Sequence, residues 1–127
     1  MKILITGSNG LLGQKLVKLI LDRGEDELIA TARGANRLPY AQDDYQFDVM
    51  DITNREQVRE VVARHRPEVV IHTAAMTNVD QCELEKEACW DQNVNAVKYL
   101  IEACADNNTF LLHLSTDFIF DGENGPY

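Results

Sequence analysis

The sequence is poor in basic residues, in cysteine and in long apolar runs, and each shortage excludes a class of protein. Twelve Lys and Arg stand against 21 Asp and Glu, for a net charge of -9, whereas a nucleic-acid-binding surface needs clustered basic side chains. No apolar run reaches the roughly 18 to 20 residues of a membrane-spanning helix, and no apolar leader precedes the first strand. We therefore expect a cytoplasmic protein with neither nucleic-acid nor membrane partners.

The three cysteines do not form a metal-binding pattern. Cys82, Cys89 and Cys104 are odd in number, lie in stretches with helical periodicity and include no C-x-x-C pair. We expect reduced thiols, as is usual in a cytosolic protein, and no metal centre.

An apolar strand followed at once by three glycines opens the chain. Residues 2–6 are β-branched and leucine-rich, as in a strand buried on both faces, and apolar residues at helical spacing follow from Leu12. Between them lie Gly7, Gly10 and Gly13, spaced three and three rather than two and three. Such glycines permit a tight turn, a close approach of the backbone to a pyrophosphate, and close packing of the helix on the strand. The layout predicts a dinucleotide-binding turn.

Strand and helix patterns alternate along the rest of the chain. The later predicted elements are strands at 28–32, 45–49, 68–72 and 110–115 and helices at 55–65 and 83–107. Alternation indicates a parallel sheet with right-handed crossovers, strand order 3-2-1-4-5, and a ligand crevice at the carboxyl ends of strands one and four. It also disfavours the alternative of an ordinary glycine-bearing loop.

The predicted fold class is α/β, a Rossmann-type doubly wound parallel sheet. One NAD(P)-binding domain over residues 1–127 is the natural count. Because 127 residues are fewer than a complete dinucleotide-dependent enzyme usually has, we expect the domain to be truncated before the later strands and the substrate region.

Charged residues after two strands bear on the choice of cofactor. The second strand lacks the acidic residue that grips the ribose hydroxyls of NAD, and Arg33 follows it instead. Arg33 favours NADPH through a charge-assisted bond to the 2'-phosphate, with Arg37 as a second candidate; NADH and a merely solvated arginine are the alternatives. Asp48, beside Val49, is assigned to the adenine amino group, or else caps the turn before Ile52.

Polar residues near the fourth and fifth strands have open roles. His72 is expected to fill core space, and the small residues after it let the backbone run close to a cofactor. Asn93 and Asn95 either bridge to a strand backbone or are surface groups of a helix. Residues 115–117, Ser-Thr-Asp, either act at the crevice or cap the turn that follows.

Three stretches resemble the extended short-chain dehydrogenase/reductases, and within them the dTDP-4-dehydrorhamnose reductase group. They are residues 7–13 (GSNGLLG), 67–80 (PEVVIHTAAMTNVD) and 115–122 (STDFIFDG). The resemblance implies an NADPH-dependent reductase of a nucleotide-linked 4-keto-6-deoxysugar. It implies that residues 10–12 (Gly10, Leu11, Leu12) contact the pyrophosphate and that residues 75–77 (Ala75, Met76, Thr77) line the nicotinamide-ribose side. Asn93 matches the structural asparagine of the group, and the predicted cofactor-binding set also includes Gly7, Asn9, Gly13, Ala74 and Asn93.

The same resemblance assigns the catalytic hydroxyl to Thr116 and the sugar contact to Thr116 and Asp117. The chain departs from the group in three ways. Phe118 stands where a tyrosine is usual, Arg33 is not the acid expected of an NADH enzyme, and residues 1–127 contain no Y-x-x-x-K. A threonine alone is too weak an acid to protonate the developing alkoxide, so we expect no turnover from this chain alone. Nucleotide-sugar epimerases or dehydratases, and the regulatory subunit of methionine adenosyltransferase, are alternatives. Self-association into a homo-oligomer is also expected.

Overall fold

The computed structural model describes residues 1–74 and 79–114, which form a parallel sheet with helices on both faces. The strands are β1 (Lys2–Thr6), β2 (Glu27–Ala32), β3 (Gln46–Val49), β4 (Val69–His72) and β5 (Phe110–His113). The helices are α1 (Leu11–Arg23), α2 (Arg55–His65), α3 (Val79–Leu84), α4 (Lys86–Trp90) and α5 (Ala96–Asp106). A 3-10 turn spans Gln42–Asp44, and a π-helical turn, Asp91–Asn95, joins α4 to α5.

The order of the strands confirms the predicted topology. The sheet runs β3-β2-β1-β4-β5, and every neighbouring pair is parallel. In the centre, Leu4 pairs with Ile29 on one side and Val70 on the other. This is the doubly wound α/β arrangement, in which the carboxyl ends of β1 and β4 lie at the point where the strand order reverses.

Alternation of side chains along β1 divides the core into two layers. Ile3 and Ile5 pack with Val17 of α1 on one face of the sheet. Leu4 faces the other way and packs with residues of α2 and α5, among them Val58. Helices therefore cover both faces, and this explains why the central strands read as nearly continuous apolar runs.

The helix predicted over 83–107 is confirmed for most of its length, since helical conformation runs from Lys86 through the π-helical turn to Asp106, but Glu85 interrupts it near its start. Glu85 has φ -123° and ψ 63°, outside the helical region, so the hydrogen-bond ladder is interrupted between α3 and α4. The π-helical turn then widens the helix before α5 begins at Ala96. The spacing of apolar residues indicates a helix but does not register these local breaks.

The break at Glu85 also overturns the expectation of three reduced thiols. Cys82 and Cys89 form a disulfide, with their Cα atoms 5.2 Å apart. Seven residues along a straight helix would separate them by roughly 10 Å, beyond the reach of a disulfide, so the interruption makes the bond possible. Cys104 remains a thiol, and burial raises its pKa to about 11.

Strand β5 lies at one edge of the described sheet and carries exposed apolar side chains. Phe110 is 67% exposed, and Leu112 and Leu114 are exposed as well. Unpaired edges of this kind promote strand pairing between molecules, so self-association stays a prediction. Within the described parts of the chain, no helix combines the length and the apolar character needed to cross a membrane.

Candidate functional site

The turn between β1 and α1 approaches the end of β4 too closely for a side chain. Gly7 has φ 68°, a conformation that other residues rarely adopt, and Gly10 N–H closes the turn on the Gly7 carbonyl at 3.0 Å. A Cβ on Gly7 would lie 2.9 Å from both the Ala74 nitrogen and the Thr73 hydroxyl. This position therefore requires glycine for both its conformation and its space.

Gly13 allows α1 to pack directly on the turn. A Cβ there would overlap the Gly7 carbonyl oxygen and lie 2.9 Å from Ser8 Cα. Gly10 is less confined, since a Cβ would meet only the Gly7 carbonyl, at 3.3 Å. Packing within the protein therefore requires glycine at positions 7 and 13, but it does not require glycine at position 10 to the same degree.

The first turn of α1 presents backbone N–H groups without a side-chain cap. Gly10 is its N-cap and has no side chain to offer, and no acidic residue lies in the first turn. Leu11 is 78% exposed and Leu12 is also exposed, so the start of the helix is open to solvent. Free N–H groups and the positive end of the helix dipole together favour an anion at this place.

A hydrogen-bond network joins the ends of β1 and β4 beneath the turn. Thr6 Oγ1 accepts from the backbone N–H of Thr73 at 3.1 Å and of Ala74 at 3.3 Å. Its own proton is therefore directed to His72 Nδ1, 2.7 Å away. Thr73 Oγ1 donates to the Thr6 carbonyl at 2.6 Å. These bonds fix the spacing of the two strand ends that carry the turn.

His72 fills core space, as expected, and is neutral there. The side chain is 2% exposed and its ring stacks on that of His113, with centroids 5.4 Å apart. Burial, together with the charge of His113, lowers the pKa of His72 to about 4. A neutral ring that accepts at Nδ1 suits the bond from Thr6.

A cavity of about 280 Å³ opens at the carboxyl ends of the first four strands. Its lining residues are Gly7, Asn9, Ala32, Arg33, Gly34, Arg37, Met50, Asp51, Ile52, Thr53, Ala74 and Gln92. The topology predicts a crevice at this edge of the sheet. The cavity thus joins the glycine turn to the segments that follow β2, β3 and β4.

Both arginines proposed from the sequence line this cavity. Arg33 is 74% exposed, and its Nε lies 3.9 Å from Asp51 Oδ2. Arg37 reaches the same cavity from four residues further along. Two arginines of the segment that follows β2 therefore line the cavity.

Asp48, for which the sequence predicts an adenine contact, faces a helix rather than the cavity. Asp48 lies within β3, and its carboxylate accepts from Arg64 Nη1 at 2.7 Å and pairs with His65 Nε2 at 2.9 Å, both at the end of α2. Neither Asp48 nor Val49 lines the cavity. The carboxylate is turned towards a helix instead, because successive side chains of a strand face opposite sides of the sheet.

Asp51 is the acidic residue that the sequence analysis missed. It lies just beyond the end of β3, where its Oδ1 accepts from the backbone N–H of Thr53 at 3.0 Å and from the Thr53 hydroxyl at 2.7 Å. Burial by itself would raise the pKa of Asp51, but these two bonds and the charge of Arg33 lower it below its usual value. The sequence signal that could have identified Asp51 is its position just after the predicted strand, whereas Asp48 lies inside that strand.

The remaining site residues divide into three groups. Gly10, Leu11, Leu12 and Gly13 lie at the start of α1, beside the cavity rather than in its lining. Asn93 belongs to the π-helical turn, and its Nδ2 donates to Cys89 Sγ at 3.3 Å; its neighbour Gln92 reaches the cavity. Outside the described residues lie Ala75, Met76, Thr77, Thr116 and Asp117. Among the residues that the structure describes, no cluster of His, Cys, Asp or Glu is arranged to hold a metal ion.

The fold defines a Rossmann-type doubly wound α/β domain, with a cavity at the carboxyl edge of its sheet. The family model described as the RmlD substrate binding domain matches residues 1–127, and the chain belongs to that family.

Two relatives show how much of a longer protein the chain matches. A dTDP-4-dehydrorhamnose reductase of Aggregatibacter actinomycetemcomitans is 39% identical over 127 residues, which cover 99% of this chain and 38% of that protein. Methionine adenosyltransferase 2 subunit beta of Danio rerio is 33% identical, with 99% of this chain and 36% of that protein covered. The chain therefore spans well under half the length of either relative.

Solved structures give the same picture. A hypothetical dTDP-4-dehydrorhamnose reductase from Sulfolobus tokodaii superposes with a TM-score of 0.84 at 35% identity, over 100% of this chain and 43% of that one. A dTDP-4-dehydrorhamnose reductase from Bacillus anthracis in complex with NADP has a TM-score of 0.71 at 29% identity, over 97% of this chain and 39% of that one.

The neutral, buried His72 predicts how stability depends on pH. Between pH 6.5 and about 4 the unfolded chain binds a proton that native His72 does not, so the free energy of unfolding should fall as the pH drops, by up to about 3 kcal/mol. His72→Asn keeps an acceptor near Thr6 but cannot ionise, and should flatten this dependence in urea titrations at several pH values. Leu19→Val, an exposed substitution on α1, is the control and should keep it. An unchanged slope in His72→Asn would contradict the assignment.

Proposed function

We propose that residues 1–127 form the cofactor-binding portion of an NADPH-dependent reductase that acts on a nucleotide-linked 4-keto-6-deoxysugar. The observation that carries this proposal is the cavity that joins an uncapped glycine turn to two arginines at the carboxyl edge of the sheet. The reductases among the relatives, one of them solved with NADP, support the choice of reaction and cofactor.

The residues of the turn fit a pyrophosphate. Gly7 and Gly13 bring strand, turn and helix so close together that α1 begins directly at the turn, with its first N–H groups uncapped. Gly10, Leu11 and Leu12 would supply those donors, in the manner of other helix N-termini that bind phosphate groups. A Cβ on Gly10 would meet few atoms of the protein, which supports a role for this glycine in ligand binding rather than in packing.

The other end of the cavity fits an adenosine that carries a 2'-phosphate. Arg33 and Arg37 supply two positive charges after β2, where an enzyme that prefers NAD would carry an acidic residue. Asp51, which is ionised, lies close enough to orient Arg33. Ile52 offers an apolar surface beside them, suitable for one face of a base.

The chemistry of reduction needs groups from both ends of the crevice. Bound NADPH supplies the hydride for the ketone of the sugar. Ala75, Met76 and Thr77 are proposed to line the nicotinamide side, Thr116 to supply the hydroxyl at the reacting centre, and Asp117 to contact the sugar. Because the alkoxide that forms needs a proton from a stronger acid than threonine, a tyrosine with a neighbouring lysine is required as well.

A second candidate function is that of a binding module similar to methionine adenosyltransferase 2 subunit beta. The 33% identity to the protein from Danio rerio favours it as an alternative. Such a module would have the same cavity but would not catalyse reduction, even as a full-length protein. Reductase activity of a full-length protein therefore discriminates between the two functions.

The glycine turn predicts a variant that loses nucleotide binding. A valine at position 10 would place its side chain where a pyrophosphate meets the backbone, so Gly10→Val should lower the affinity for NADPH by at least about a hundredfold. Isothermal titration calorimetry measures this directly. Leu19→Val, on the exposed outer part of α1, is the control and should bind like the wild type. Equal affinity of wild type and Gly10→Val would remove the turn from the site.

Arg33 predicts a preference for NADPH over NADH. A charge-assisted hydrogen bond contributes about 1.5 to 3 kcal/mol, and the lower figure applies here because Arg33 is exposed and screened. Arg33→Ala should therefore lower the affinity for NADPH about tenfold and leave that for NADH unchanged. Lys15→Ala is the control, because it also removes one positive charge but Lys15 does not line the cavity. A wild type that binds both cofactors equally would contradict this role.

The missing Y-x-x-x-K predicts that the chain of residues 1–127 has no reductase turnover. None of its tyrosines has a lysine four residues later, so no proton donor of the reductase type is present. NADPH absorbance followed with a dTDP-4-keto-6-deoxysugar should show no oxidation above background, even under conditions where calorimetry shows NADPH bound. Measurable turnover would point to a different proton donor within these residues.

A further inference from the structure

The segment at 33–38, which we call the arginine loop, carries both cavity-lining arginines. It follows β2, and its first three residues are exposed, while Leu38 at its end is buried. An exposed loop of this kind has few packing contacts to fix its main chain, so the positions of Arg33 and Arg37 depend on hydrogen bonds.

Asn9, in the glycine turn, binds this loop with both ends of its side-chain amide. Its Nδ2 donates to the carbonyl of Ala35 at 2.9 Å, and its Oδ1 accepts from the backbone N–H of Arg37 at 2.9 Å. Within the described parts of the chain, these are the hydrogen bonds that hold the main chain of Ala35 and Arg37. The side chain of Asn9 therefore joins the glycine turn to the arginine loop.

The far side of the loop is fixed independently of Asn9. Asn36 Nδ2 donates to the Tyr45 hydroxyl at 2.8 Å, and its Oδ1 accepts from the Leu38 N–H at 3.0 Å. The loop is thus anchored to the body of the protein by Asn36 and to the glycine turn by Asn9. Asn9 is the anchor that ties Arg37 to the turn, whereas Arg33 follows β2, whose Thr31 carbonyl accepts from the Ser8 N–H of the turn at 3.0 Å.

We propose that Asn9 is a positioning residue for selection of the 2'-phosphate. By holding the backbone of Arg37, it fixes the arginine loop at the distance from the glycine turn that a 2'-phosphate requires once the 5'-phosphate is seated. Without this side chain the loop has to be ordered during binding, which costs affinity for ligands that use the arginines. The inference rests on the proposed function, since it assumes that the turn and the loop bind two parts of one nucleotide.

The test uses 2',5'-ADP and 5'-AMP, which differ only in the 2'-phosphate. Calorimetric titration of the 127-residue chain should show a preference for 2',5'-ADP, and Asn9→Ala should reduce the ratio of the two affinities about tenfold. Gln14→Ala is the matched control, because Gln14 Nε2 donates to the backbone carbonyl of Asn9 at 2.6 Å and does not bind the loop. Its ratio should equal that of the wild type.

A double-mutant cycle separates positioning from a general loss of structure. If Asn9 acts through Arg37, Asn9→Ala should have little further effect on the ratio in an Arg37→Gln background. Thermal unfolding by circular dichroism checks that each variant folds, and Asn9→Ser, which keeps one hydrogen-bonding group, replaces Asn9→Ala if that variant does not.

The outcomes distinguish this inference from the proposed function. Equal weakening of both ligands by Asn9→Ala, or an undiminished effect of Asn9→Ala in the Arg37→Gln background, would overturn the inference and leave NADPH binding intact. A wild type that binds both ligands equally would overturn the 2'-phosphate role of the loop and this inference with it. A wild type that binds neither would overturn the proposed function itself.

Discussion

The close approach of the β1–α1 turn to the end of β4 is the constraint on which the rest of the site depends. At Gly7 and Gly13 the main chains leave no room for a Cβ. The Thr6 hydroxyl sets this spacing by binding the backbone of Thr73 and Ala74 and the buried ring of His72. Because the ends of the two strands are held in this way, α1 begins directly at the crevice with its N–H groups free.

The chemistry of the cavity follows from this constraint. A helix start at the edge of the sheet favours an anion, and the segments after β2 and β3 meet it at the same edge because all described strands are parallel. Asn9 extends the turn to the arginine loop, and Asp51 lies across from Arg33. The site is therefore built mainly from the backbone at the start of α1 and after the strands, and few side chains determine its specificity.

The fold was predictable from the sequence, whereas several side-chain roles were not. Apolar runs, glycines and helical spacing are local signals, and they predicted the strand order and the limits of α2. The break at Glu85 and the disulfide between Cys82 and Cys89 depend on the backbone conformation between α3 and α4, which spacing does not encode. The positions of Asp48 and Asp51 also depend on register, because the face on which a strand residue lies decides that Asp48 meets Arg64 and His65 of α2.

The central claim is that one nucleotide spans the glycine turn and the arginine loop. A titration of the isotope-labelled chain with NADPH, followed by amide nuclear magnetic resonance, tests it most directly, because each backbone N–H reports its own surroundings. The account predicts that the largest shift changes occur together at 7–13 and 33–37, with smaller ones at 51–53, and saturate at one concentration. Changes confined to another face of the sheet, or separate saturation of the turn and the loop, would contradict it.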